Sequence, residues 1–305
     1  VSTEEEKPET GQDSDAPTAA STDIQRERVE LNSHDDILAY LLDTNPEANE
    51  LYTRFKRSLD AISTLPELRM RAAKLGETLE ELPVEEASWW LDQLIRGAIW
   101  GHEPEYDAML ACGFWLIMKR QEDDYNLFER LFRQAHKTDR KVVLSLLRDP
   151  PPHKALPEGK RLPEPRLQLD REVSVGERRQ MARRAKRKMI DQLLLDPNPL
   201  VVSQVLRNPV VRESDVLQVA SRRPNTPEIL FEIIQIIRWY KRNKVREALV
   251  MNPYNSTGQS LRLLPTLGIQ TLRSVKNSRH IHPAIIETAE LLVELREQRT
   301  APWKV

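Results

Sequence analysis

The chain of 305 residues contains a single cysteine, Cys112, and only 9 glycines. One thiol cannot form an internal disulfide, so nothing in the sequence points to an oxidising compartment. So few glycines, with no Asn-Gly or Asp-Gly step anywhere in the chain, argue against a hairpin-rich β fold. Long apolar runs are missing too. The longest, AMLACGFWLIM over 108–118, is 11 residues, whereas a bilayer needs about 20. The segment VSTEEEKPETGQDSDAP at the start has neither the basic beginning nor the apolar stretch of a secretory signal. These absences lead us to expect a cytoplasmic protein with no membrane span. The spacings G-x-S-x-G, H-E-x-x-H, G-x-x-x-x-G-K-[ST] and G-x-G-x-x-G are absent as well. No cofactor is therefore expected, and a binding protein is expected rather than an enzyme.

What the chain has in quantity is charge, unevenly divided. Residues 177–305 hold 23 lysines and arginines against 12 aspartates and glutamates, a net of +11; residues 1–176 hold 23 against 35, a net of −12. Such asymmetry suggests a polyanionic partner for the basic half, or two halves that face each other.

The organisation expected along the chain is all-α. Residues 1–28 are acidic and nearly devoid of apolar side chains, so they are read as a disordered tail. Residues 29–148 read as an acidic helical domain. Its first helix is capped at Ser33, and a later one carries Leu51, Phe55, Leu59 and Ile62 at helical spacing. The segment around 108–118 is apolar nearly all round and should be the central buried helix. Residues 149–175 hold six prolines and no apolar period, which predicts a semi-rigid linker or extended arm. Ser174 and Glu177 have capping-box spacing, so a helix should start near Val175. A basic helical-repeat domain over 176–299 and a short tail at 300–305 complete the expected layout.

The repeat is visible when Asn208, Asn252 and Asn277 are superposed. Two positions earlier stand Leu206, Val250 and Val275; nine later, Leu217, Leu261 and Ile286; twelve later, Ala220, Leu264 and Ala289. A fourth, degenerate copy is VASRRPNTPEILFEIIQII. This predicts a short helix, a tight corner in which Asn adopts a left-handed conformation, and a second helix folding back on the first. The segments VREALVMNP and RPNTPEILFEI resemble the leucine-rich-repeat-variant pattern V-R-x-x-V-A-x-N-P-x-T-P-x-x-x-L-x-x-L and, more broadly, HEAT-like bacterial helical repeats, over about residues 199–290. That resemblance implies an irregular α-solenoid after the N-terminal helical domain. It implies no reaction, because such repeats serve many functions.

Candidate functional residues come mostly from the basic half. GERRQMARRAKRK places seven cations in 176–188. If 177–195 is one helix, Ala182, Ala185, Met189 and Leu193 share a face, and Arg179, Arg183, Lys186 and Arg187 lie opposite. A solvated face usually mixes signs. Like charges one turn apart repel by a few tenths of a kcal/mol each, so an unmixed face suggests use. RWYKRNKVRE adds Arg238, Trp239, Lys241 and Arg242, with Tyr240 interleaved. Together these residues suit an acidic protein surface, or nucleic acid stacked on the aromatics as the alternative. A resemblance to HEAT-like alkylpurine DNA glycosylases would require Trp239 with Asp191 or Asp215 on a basic surface. Cys112 is expected in the core. His280 and His282 are read as corner residues rather than metal ligands, and Trp89, Trp90 and Trp100 as anchors of the N-terminal core.

Overall fold

A computed structural model describes residues 45–121, 125–165 and 173–298. The expected acidic tail, the helix beginning at Ser33 and the tail at 300–305 lie outside the described residues. Within them the fold is all-α: sixteen α-helices and one 3-10 turn, with no strand.

Six helices precede the proline-rich stretch: α1 Pro46–Ser63, α2 Leu68–Glu81, α3 Val84–Trp100, α4 Glu103–Gln121, α5 Tyr125–Lys137 and α6 Lys141–Leu147. α1 starts where Asn45 accepts from the Ala48 N–H (3.2 Å), with Pro46 in the first turn. α4 is the hub. Every residue from Ala108 to Ile117 is buried, as an all-round apolar helix requires, and α1, α2 and α3 pack on it. Phe55 of α1 meets the rings of Trp89 and Trp90 edge-on, at 5.8 and 5.2 Å. Trp100 reaches away from them, donating its indole N–H to Leu295 O at 3.0 Å.

Ten helices follow: α7 Val175–Arg184, α8 Arg187–Leu193, α9 Pro199–Leu206, α10 Glu213–Ser221, α11 Pro227–Gln235, α12 Ile237–Tyr240, α13 Asn243–Val250, α14 Thr257–Leu263, α15 Ile269–Lys276 and α16 Pro283–Gln298, with a 3-10 turn at Leu264–Thr266. The capping box forms as expected: the Ser174 hydroxyl accepts from Glu177 N–H, and Glu177 accepts from Ser174 N–H. The helix expected over 177–195 is broken. Ala185 is extended (φ −60°, ψ 132°), separating α7 from α8. The Asn208 side chain explains the break, since its amide donates to the Ala182 and Ala185 carbonyls at 3.1 and 3.2 Å and so satisfies oxygens that a continuing helix would have used.

The corners at the aligned asparagines are not left-handed. Asp139 is the sole non-glycine residue of positive φ among the described residues. Asn208 and Asn252 instead do the same two jobs. The side-chain oxygen of each accepts the N–H two residues on, from Val210 and Tyr254, at 3.0 Å. The amide of each donates back to the end of an earlier helix, Asn252 to Ala220 O and Arg222 O at 2.7 and 3.1 Å. Asn277 makes no such side-chain bond among the described residues and is exposed. The fold-back holds at two corners, α13 on α14 and α15 on α16; α9 packs instead on α7 and α11, and α10 on α13.

The proline-rich stretch, as far as Pro165, is an arm laid on the loop before α14 and the start of α14. Lys154 N–H donates to Pro253 O (2.9 Å), Thr257 Oγ1 donates to Pro151 O (2.8 Å), and Leu162 is buried. The segments on either side of it share one core. The seven-residue α14, buried throughout, packs on α4, α6, α13 and α16. Gly113 permits this: a Cβ there would lie 2.8 Å from Arg262 O and 3.0 Å from the Tyr240 hydroxyl.

Candidate interaction surface

The two basic clusters lie about fifty residues apart in sequence, and the start of α10 brings them together. Arg187, at the start of α8, makes a bidentate pair with Asp215, at 2.6 and 2.7 Å, and also contacts Asp191. Asp215 caps α10 by accepting the Arg212 N–H at 2.8 Å. From the other cluster, Arg238 donates to Val211 O (3.2 Å) and Arg242 lies 3.8 Å from Glu213. Residues 211–215 are thus the bridge. Around them run Lys186, Arg187, Arg212, Arg238, Lys241 and Arg242, all exposed, forming a basic ridge along one edge of the repeats.

The expected site residues divide in three. The side chains of Arg179, Arg183, Lys186 and Lys241 are exposed and have no hydrogen-bond or ion-pair partner among the described residues, and the same is true of Arg184 and Lys188. Arg187, Arg238 and Arg242 are exposed but held by the bonds above, so they shape the ridge as well as charging it. The Arg187 guanidinium is driven further toward its charged form, first by its hydrogen bonds to Asp215, and Asp215 is held below its ordinary carboxylate value, first by Arg187.

Trp239 is not a surface residue. It is 1% exposed and its indole N–H donates to Leu206 O at 2.8 Å. The Arg238 guanidinium covers its ring at 4.3 Å. Tyr240 is buried beside it, with its hydroxyl donating to Leu110 O at 2.8 Å and its ring edge-on to Phe114. α12 has only four residues, too few for a periodicity that would separate an inward from an outward aromatic. With Trp239 in the core, the surface aromatic that the glycosylase resemblance would require beside Asp191 or Asp215 is not presented.

The other singled-out groups have local roles. Cys112 is wholly buried and burial pushes its thiol up to about 12, leaving it in the unreactive form. His282 Nδ1 accepts from Ala284 N–H (3.1 Å) at the start of α16, and His280 is exposed. No group of three or more potential metal ligands converges among the described residues. None of their helices is long and apolar enough to cross a membrane.

Sequence reasoning missed three buried arginines, because nothing local distinguishes them from their exposed neighbours. Arg178 lies against Asp196, with Nε 2.7 Å from Oδ2. Arg262 forms a bidentate pair with Asp149 at 2.9 Å, which Arg120 also contacts. Arg246 has no carboxylate within pairing distance among the described residues, and bonds to neutral oxygens alone.

No protein-family profile, curated protein or solved structure matches the chain.

Proposed function

We propose that this protein is a non-enzymatic interaction scaffold, and that the basic ridge of its repeat segment binds an acidic surface on a protein partner. The observation that carries this reading is the joining of two sequence-distant basic clusters on one exposed edge. Lys186 and Lys241 on that edge, and Arg179, Arg183, Arg184 and Lys188 in the adjoining stretches of α7 and α8, form no ion pair among the described residues. Such a patch raises the local concentration of an anionic partner and orients it on approach. The succession α7–α9–α11, with α10 on α13, supports a helical-repeat arrangement of the kind the HEAT-like resemblance implies.

A protein partner is favoured over nucleic acid by the burial of Trp239 and Tyr240. Single-stranded nucleic acid is held by bases stacking on exposed aromatics, and these two face the core. Among the described residues, the ridge offers charge without these two rings as a stacking platform.

The test is fluorescence anisotropy with a labelled glutamate-rich peptide and a labelled single-stranded oligonucleotide, each at two salt concentrations. The peptide should bind at low salt and weaken as salt rises, because charges in solvent are screened over about 8–10 Å. Arg183→Glu with Lys186→Glu should abolish that binding. Undiminished binding by the double variant removes the ridge as the site. Retention of the oligonucleotide alone assigns the ridge to nucleic acid.

A further inference from the structure

The most informative unexplained feature lies away from the exposed cations, at the seam where the repeats meet the N-terminal helices. A cavity of about 320 Å³ opens between the end of α3, Tyr106 of α4, the start of α13, the 3-10 turn, the start of α15, and Arg296 of α16. Its wall is apolar along Ile99, Leu267 and Leu272. No aspartate or glutamate among the described residues lines it.

Positive character converges on this space from two directions. Arg296 supplies a guanidinium to the wall, steadied by donation to Ile99 O. Behind the wall lies Arg246, 1% exposed. Its terminal nitrogens donate to Tyr240 O (2.8 Å), the Tyr106 hydroxyl (2.9 Å), Asn243 Oδ1 (3.4 Å) and Thr266 O (3.4 Å). The last three residues themselves line the cavity, and Arg246 Nε has no partner. A buried cation without a counter-charge is costly. The other two buried arginines each lie against an aspartate, so the exception stands out.

The backbone adds to this. α13 and α15, eight residues each, begin at the cavity with Asn243 and Ile269 as their first residues. Neither has a side-chain cap at its N-terminus, so the first N–H groups and the positive ends of both helix dipoles are left for whatever occupies the space.

We propose that this cavity binds a small aliphatic carboxylate. The carboxylate would meet Arg296 and the helix starts, with the Arg246 charge behind them, and the short hydrocarbon chain would lie on Ile99, Leu267 and Leu272. The volume is at the lower end of small-molecule sites, which run from about 300 to 1,000 Å³. It suits an acid of five or six carbons rather than a nucleotide.

Thermal-shift and calorimetric titration of the full chain with 4-methylpentanoate, its neutral amide 4-methylpentanamide, and inorganic phosphate tests this. The carboxylate should bind saturably and raise the melting temperature, and the amide should not. Arg296→Met should weaken the carboxylate at least about tenfold, about 1.4 kcal/mol. Ile269→Trp, which fills the space, should abolish binding with the protein still folded by circular dichroism. Equal response to the amide, no saturable response to the carboxylate, or unchanged affinity in both variants would overturn the proposal. A response to phosphate exceeding that to the carboxylate overturns the assignment of the ligand class.

Discussion

The ridge at the repeat corners and the seam between the repeats and the N-terminal helices are both built with arginine, and they use it in opposite ways. In the helices that lead to the ridge, Arg183, Arg184 and Lys188 are exposed and their side chains have no partner among the described residues. At the seam, Arg246 and Arg262 are 1% exposed and spend their donors on backbone carbonyls, a tyrosine hydroxyl and Asp149. An exposed arginine contributes charge and little stability, since surface pairs are worth about 0–1 kcal/mol. A buried one cross-links distant segments and is costly to orphan. The same residue type thus stays free for the recognition proposed above in one region and holds segments together in the other, and burial decides which.

The sharpest way to break the seam is to remove the acid that offsets Arg262. Asp149→Ala should destabilise the fold by about 3 kcal/mol, read as a shift in the urea midpoint, because it leaves a buried guanidinium unpaired. It also frees the arm at its first anchor, where Asp149 lies so close to α14 that a Cβ at Gly258 would fall 1.8 Å from its Oδ1. A change below about 1 kcal/mol would show that the arm and the seam are not coupled.

The Asn corners give the next effect and an internal control. Asn252→Ala should cost about 2 kcal/mol, because the carbonyls of Ala220 and Arg222 lose a buried donor. Asn208→Ala should behave alike. Asn277→Ala, at the aligned but exposed position, should stay within about 0.5 kcal/mol. Equal losses at Asn252 and Asn277 would mean that local turn propensity, not the reach to an earlier helix, sets the stability of the corner.

Two buried aspartates, Asp215 beneath the ridge and Asp196 beside Arg178, also differ in their response to pH. Asp215 is held below its ordinary value of 3.8, chiefly by Arg187. The folded state therefore binds fewer protons there than the unfolded chain. Its stabilisation is complete above the unfolded value and is lost as pH falls through the folded one. Asp196, beside Arg178, is raised above 3.8 by burial. It binds more protons folded than unfolded, and its contribution declines as pH rises from the unfolded value through the folded one. Asp215→Asn should accordingly lose less stability than the parent between pH 6 and pH 3, and Asp196→Asn should lose more. Denaturant midpoints at the two pH values measure both; identical acid responses in the parent and the two variants would contradict the assignment.

The smallest expected effect on stability is at the ridge itself. Arg183→Glu with Lys186→Glu should leave the unfolding midpoint within about 0.5 kcal/mol of the parent while removing glutamate-peptide binding. Arg187 is a poor choice for this separation, because its bidentate pair with Asp215 would be lost as well. A large loss of stability in the double variant would make the ridge structural and blur the contrast with the seam.

Much of this was legible beforehand. The capping box at Ser174, the all-round apolar α4, and the burial at repeat positions Leu206, Val250 and Val275 all follow from patterns that one helix carries within itself. What was not legible involves partners far along the chain. The break at Ala185 needs Asn208, more than twenty residues later. Trp239 turns inward because Leu206 O lies within reach of its indole, and Tyr240 because Leu110 O receives its hydroxyl.

The sequence by itself determined that the described residues are helical, that a helix starts after Ser174, that the segment around 108–118 is buried, and that the second part carries excess positive charge, because caps and periodicity act over a few residues. The tertiary structure alone decided which arginines and aromatics face water, that residues 211–215 join two basic clusters into one ridge, and that α13 and α15 begin at a cavity beside Arg246. A helix's own pattern sets which residues share a face. Only the neighbour that packs there determines whether that face is covered, and the neighbours here lie tens to more than a hundred residues away.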